Sequence, residues 1–346
     1  MARRGWVGAG LGAALVGAVG VGLVVAPTGA AAAPPLPPVS PEDLVSSVIA
    51  ADRPALAGEV EVDNALGLPA VPGVPQLANG TSTVRVWSGG EDRGRVAIPS
   101  AEGERTLVSD GTTRWSYDSR ERSATRVPVG EGRGGPEGSD AQDPTTAATQ
   151  AVATLRQSST VAVDGTAEVA GRPAYQLVLT PLPTERTLLR EVRVAVDAET
   201  RLPLQLTVLA QGSGEPALQV GFTEITYGPQ DPALFAFTPP PGTTVEDAPA
   251  RDGQRPDGAR QGTTVGDGWD TVVIGQAPQE GQGQQPDGRQ RPESAPDLSA
   301  LGTPVTGPWG TGRVITTAVA TVIVTDDGRI AAGAVPQQVL GEALAR

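Results

Sequence analysis

The chain has 346 residues, a formal charge of −13 and 26 basic side chains, all of them Arg, with neither Cys nor His. That inventory excludes thiol and imidazole nucleophiles, Schiff-base or P-loop lysines and Cys/His metal sites, so no enzyme, cofactor or resident metal is expected. The acidic balance argues against nucleic acid as a partner and against docking on anionic headgroups by net charge. With 45 Gly and 33 Pro the chain is turn-rich, while 38% hydrophobic residues still support a core; at 3%, each aromatic is expected to be a packing anchor.

Arg3 and Arg4 precede an uncharged stretch from Trp6 to Ala26, followed by Ala30-Ala31-Ala32-Ala33. A basic start, an apolar run and a small-residue cleavage site define a secretory signal peptide over residues 1–33. The rival reading is a retained membrane anchor, since the apolar run is long enough to span a bilayer. Both place the rest of the chain outside the cytoplasm. Residues 34–40 read as a Pro-rich linker.

Ser40-Pro41-Glu42-Asp43 carries an N-cap, a proline at the first helical position and a capping box. Leu44, Val45, Val48 and Ile49 then form one helical stripe that ends near Ala51. Strands follow over Leu56–Asp63, Thr81–Trp87 and Arg93–Ile98, then Arg105–Val108 and Thr113–Asp118 around the turn Asp110-Gly111. Alternation puts Val84 and Val86 opposite Arg85 and Trp87, and puts Trp115 and Tyr117 together on one face. Gly130 to Gln142 reads as a loop, and Asp143-Pro144 caps a second helix with Ala147, Ala148, Ala151, Val152 and Leu155 as its buried stripe.

The densest strand signal runs from Gly165 to Gly242. Val192, Val194 and Val196 alternate with charged or small residues, Asp197-Ala198-Glu199-Thr200 turns the chain, and Leu202, Leu204, Leu206 and Val208 are expected on one face. Pro203 marks an edge position or a strand start. Residues 246–264 read as a linker, and residues 265–346 as a small β-rich unit with a disordered insert at 276–296. In that unit Arg313–Thr325 and Arg329–Val335 flank the turn Asp326-Asp327-Gly328, and Pro336–Leu344 ends the chain as a helix.

Four segments carry a resemblance: Asp110-Gly-Thr-Thr-Arg-Trp-Ser-Tyr-Asp118, Gly171-Arg-Pro-Ala-Tyr-Gln-Leu177, Val196-Asp-Ala-Glu-Thr-Arg-Leu-Pro-Leu204 and Phe235-Ala-Phe237 before prolines. Their order resembles the LolA and RseB/MucB group of bacterial envelope proteins over residues 41–245. The resemblance implies an α+β fold: a LolA-like antiparallel half-barrel sheet with covering helices, plus the small β-rich C-terminal unit. It further implies a nonenzymatic protein that holds a lipid or lipoprotein acyl chain against the sheet. Two roles follow from it, an RseB-like sensor acting on a membrane anti-sigma factor or a LolA-like carrier. Ile330-Ala-Ala-Gly-Ala-Val-Pro336 is similar to the way RseB-type small domains end.

Trp87, Trp115, Tyr117, Leu204 and Leu206 are the candidate cavity residues, although each aromatic taken singly fits better a ring packed under a covering helix. Asp326-Asp327-Gly328 reads as a hairpin turn, since no further spaced carboxylates make a calcium loop. Gly307, Gly310 and Gly312 lack the lysine and following helix of a phosphate loop.

Overall fold

A computed structural model describes residues 36–67, 79–90, 92–101, 103–129, 144–248, 262–276 and 302–346. The expected leader at 1–33, and the insert at 276–296 apart from Gln276, lie outside the described residues. The capping box closes at the first helix: Ser40 Oγ accepts from the Asp43 amide at 3.1 Å and donates to the Asp43 carboxylate at 2.7 Å. Helix α1 therefore runs Pro41–Ala50. Leu44 is buried against Tyr175 and Val196, and Val48 packs on the same cluster. Leu36 and Val39 join it, so this part of the Pro-rich segment is docked on the sheet. Ile49 points away and is 49% exposed, which narrows the expected stripe. Helix α2, Pro144–Leu155, packs beside α1 with Val152 buried and Ala151 exposed, and an Arg156–Glu42 ion pair joins the two.

Twelve strands make one open sheet. They are β1 Ala55–Asn64, β2 Gly80–Gly89, β3 Arg93–Ser100, β4 Gly103–Asp110, β5 Thr113–Asp118, β6 Ser123–Pro128, β7 Ser159–Val169, β8 Arg172–Pro181, β9 Leu189–Asp197, β10 Pro203–Ala210, β11 Pro216–Tyr227 and β12 Thr244–Asp247. Their order is β12-β6-β5-β4-β3-β2-β1-β11-β10-β9-β8-β7. Every pairing is antiparallel except β12 on β6, which is parallel. Strand β12 extends the first sheet past the expected boundary at Val245, tied down by Arg126 Nε on Asp247 Oδ1 at 2.7 Å.

Pro203 opens β10, an interior strand, so the strand-start reading of this proline holds. The register against β9 shifts between Pro203 and Gln205. A bulge breaks strict alternation, and Leu204 is 2% exposed while Leu206 is 37% exposed. The expectation of one continuous leucine face fails there.

A second sheet has six strands in the order β13-β14-β18-β17-β16-β15. These are β13 Thr263–Val265, β14 Val272–Gln276, β15 Thr303–Gly307, β16 Gly310–Thr316, β17 Thr321–Thr325 and β18 Arg329–Gly333. The segment Arg313–Thr325, expected as one strand, is two. Thr317 Oγ1 accepts from the Val319 and Ala320 amides and closes a turn between β16 and β17. Gly312 is required where β16 pairs with β17, because a Cβ there would lie 2.4 Å from the Val324 carbonyl oxygen. Helix α3, Gln337–Leu344, buries Val339, Leu340, Ala343 and Leu344 against Val272, Val314, Ile323 and Ala331.

The second sheet is bonded to the first. The Leu188 amide donates to the Ala334 carbonyl at 2.8 Å, and the Ala318 amide to the Leu66 carbonyl at 2.7 Å. Trp269 Nε1 donates to Ser159 Oγ at 2.6 Å, and Arg186 pairs with Glu342 at 2.7 Å. Residues 36–346 thus form one compact unit.

Candidate functional site

Cross-strand partners in an antiparallel ladder put their side chains on the same face. One row runs Leu56–Ser88–Gly94–Ser109–Arg114–Val127 across β1 to β6. A second row on that face runs Val86–Val96–Leu107–Ser116–Thr125. All eleven residues line a single hollow of ≈ 500 Å³. Small residues in the middle (Ser88, Gly94, Ser109, Ser116) leave the depth, while Leu56, Val86, Val96, Leu107 and Val127 make the floor apolar. Leu107 is 40% exposed there.

The same face continues over the other half of the sheet as Val62–Val220–Leu206–Val194–Leu177–Val163. Leu177, Val194 and Val163 lie under α1. The helices therefore cover one half of this face, and the hollow occupies the half they leave open. Leu206, of the candidate set, lies on this face; Leu204 is buried with Ala174 and Ala195 instead.

The three candidate aromatics belong to the opposite face. Trp87–Arg95–Val108–Trp115–Arg126 is one row, and Tyr117 sits in the next with Arg85. The expectation that Trp115 and Tyr117 share a face holds, but Phe237 occupies that face, its ring centroid 5.4 Å from Trp115 and 5.6 Å from Tyr117. Arg126 stacks over Trp115, and Arg85 and Arg95 over Trp87. Phe235, in the 3-10 turn Pro232–Phe235, is buried against Gly89, where a Cβ would meet its ring at 2.8 Å. Trp87 and Trp115 still border the hollow and Tyr117 does not. Sequence reasoning singled out the aromatic half of the alternation and passed over the aliphatic half, Val86, Val96 and Leu107. The available signal was Phe235-Ala-Phe237 itself, an i, i+2 aromatic pair able to cover a strand face.

A polar cluster gathers at the turn after β9, between β8 and β11. The buried Asp197 carboxylate accepts from the Glu199 amide at 2.8 Å, the Thr200 amide at 3.0 Å and Arg172 Nη2 at 3.0 Å, and Arg172 Nε also donates to it. Burial works to raise its pKa, but the Arg172 guanidinium and the two amides outweigh burial and hold it below the usual 3.8. Tyr227 OH donates to the same carboxylate at 3.3 Å, and Arg172 stacks over the Tyr227 ring at 4.8 Å. Every member is engaged, so the cluster pins the turn after β9 and presents no reactive group.

Asp326-Asp327-Gly328 forms the β17–β18 turn, with the Asp327 carboxylate held by Arg329 Nε at 3.0 Å. Gly307 and Gly310 pair across the β15–β16 tip. Among the described residues no group of three or more carboxylates could hold a metal ion, and no helix is long and apolar enough to cross a membrane.

No family model and no curated protein matches the sequence. Among solved structures, the chain is similar to the MucA/MucB complex of Pseudomonas aeruginosa, with 18% identity over 87% of this chain and 94% of that one and a TM-score of 0.45. A LolA-superfamily protein of Nitrosomonas europaea is 12% identical over 58% of this chain and 99% of that one, with a TM-score of 0.24. LprF of Mycobacterium bovis is 11% identical over 59% and 100%, with a TM-score of 0.27.

Proposed function

We propose that this is a nonenzymatic extracytoplasmic protein that takes an acyl chain or another apolar ligand into the hollow and acts as an RseB-like sensor on a membrane anti-sigma factor. The observation that carries the reading is the pair of same-face rows that leave an apolar hollow of ≈ 500 Å³ on the half of the sheet not covered by helices. Each methylene buried there contributes about 0.8 kcal/mol, so a long chain binds without directed polar contacts. Leu56, Val86, Val96, Leu107 and Val127 form the proposed floor, with Trp87 and Trp115 at its border and Leu206 further along the same face. The sensor reading is supported by the motif order and by the second sheet, since a carrier needs only the hollow. A ligand long enough to extend from the hollow along the same face to α1 would shift the population of helix positions and so report occupancy to a partner.

Uptake of a fluorescent fatty acid by the purified protein tests the binding. Leu107→Glu places a charge on the floor at an already exposed position and is expected to weaken uptake by about tenfold or more, with a smaller loss in Trp115→Ala. A protein that takes up no fatty acid defeats the reading. Equal capture of empty and loaded protein by the extracytoplasmic part of the anti-sigma factor would leave the carrier role instead.

A further inference from the structure

The hollow carries charge as well as apolar surface. In a chain of net charge −13, its margin holds Arg53, Arg93, Arg95 and Arg114 against one carboxylate, Asp92. Two of these guanidinium groups are committed to the opposite face. Arg93 stacks over Phe235 and donates to the Gly89 carbonyl at 3.0 Å, and Arg95 stacks over Trp87 and reaches the Leu234 carbonyl at 3.5 Å. Arg53 and Arg114 are exposed, and neither is ion-paired among the described residues.

Their placement is opposed. Arg114 stands on β5 in the groove-facing row, between Ser109 and Val127. Arg53 precedes β1 at the other side, its carbonyl beside Gly90 at the end of β2. Four strand spacings, about 19 Å, separate β1 from β5. Two arginine side chains reaching inward over that width can meet on one anion above Gly94, with the Ser88 and Ser109 hydroxyls beneath as further donors.

We propose that Arg53 and Arg114 select the ligand: the hollow takes a phospholipid whose phosphate is not neutralised by an ammonium of its own, acyl chains on the aliphatic floor and phosphate between the two guanidinium groups. This rests on the apolar-ligand reading and sharpens it. The free oxygens of a phosphodiester diverge from a tetrahedral centre, so each can face a different guanidinium fork, whereas the coplanar oxygens of a carboxylate pair best with a single fork. The local cluster of arginines reverses, at this one place, the expectation from net charge that anionic headgroups are repelled.

The test is displacement of a pre-bound uncharged fluorescent acyl probe from the full chain by short-chain lipids of equal tail length. Phosphatidylglycerol is expected to displace it at roughly tenfold lower concentration than phosphatidylcholine. The double variant Arg53→Gln/Arg114→Gln is expected to lose that preference, the ratio of the two displacing concentrations falling to about one; both positions are exposed, so the fold is retained. Molar salt is expected to erase the preference in the wild type, where screening acts within about 3 Å. Equal displacement by both lipids in the wild type, or a preference that survives in the double variant, overturns the assignment while leaving the apolar site intact. A free fatty acid that displaces as well as phosphatidylglycerol overturns the choice of a phosphate ester. A wild type that takes up no probe overturns the apolar site itself, and this proposal with it.

Discussion

Asp197→Ala removes the acceptor at the centre of the cluster that closes β8, β9 and β11. The wild-type carboxylate is 0% exposed and holds two turn amides, the Tyr227 hydroxyl and the Nε–Nη2 edge of the Arg172 guanidinium. Removing one partner of a buried pair costs about 3–5 kcal/mol. Arg172 keeps 23% exposure and a second contact to Glu199 at 2.8 Å, so water and Glu199 replace part of what is lost. The expected loss therefore sits near the lower end, about 3 kcal/mol. Asp197→Asn retains Oδ1 as acceptor for the two amides but turns Oδ2, which accepts from Arg172 Nε and Tyr227 OH, into an NH2 donor, so about 2 kcal/mol is expected. Urea unfolding followed by far-UV circular dichroism reads both values.

The pH dependence has a definite sign. The folded-state pKa of Asp197 is lowered from 3.8, so its contribution is complete above the unfolded value and is lost as pH falls through the folded one. The gap between wild type and Asp197→Asn should be constant from neutral pH down to about 5 and should narrow below about 4. An Asp197→Ala protein within about 1 kcal/mol of wild type would refute the assignment of a buried clamp. So would a wild-type–Asn gap that stays unchanged at acid pH.

Two further outcomes test the frame around the hollow. Ser40→Ala removes the side-chain cap of α1 and should cost about 1 kcal/mol in urea unfolding, with Ser40→Gly costing less. Ile323→Ala empties a fully buried position between the second sheet and α3, and should cost about 2–5 kcal/mol, measured by the same transition; a loss below about 1 kcal/mol would mean that this core collapses to fill the space.

Local chemistry was enough to locate much of this protein in its sequence. The Ser40 capping box, the Asp110-Gly111 and Asp197–Thr200 turns, the Asp326–Gly328 hairpin and the terminal helix with Val339, Leu340 and Leu344 all follow from residues within a few positions of one another. Strand alternation likewise separated Val86 from Trp87, and the residue inventory set aside Cys, His and Lys chemistry. Alternation defines two faces but says nothing of what a distant segment lays over either. Only the folded chain brings Phe235 and Phe237 back across β2 to β5, covering the aromatic face and leaving the aliphatic one as the hollow. The same limit explains the bulge at Pro203–Gln205, where register with β9 separates Leu204 from Leu206, and the parallel docking of β12 on β6. Pairings between residues far apart in sequence depend on how whole strands stack, and no local pattern encodes that choice. The meeting of Arg53 and Arg114 at one hollow is of this kind: they are far apart in sequence and line the same site only once β1 to β6 are laid side by side.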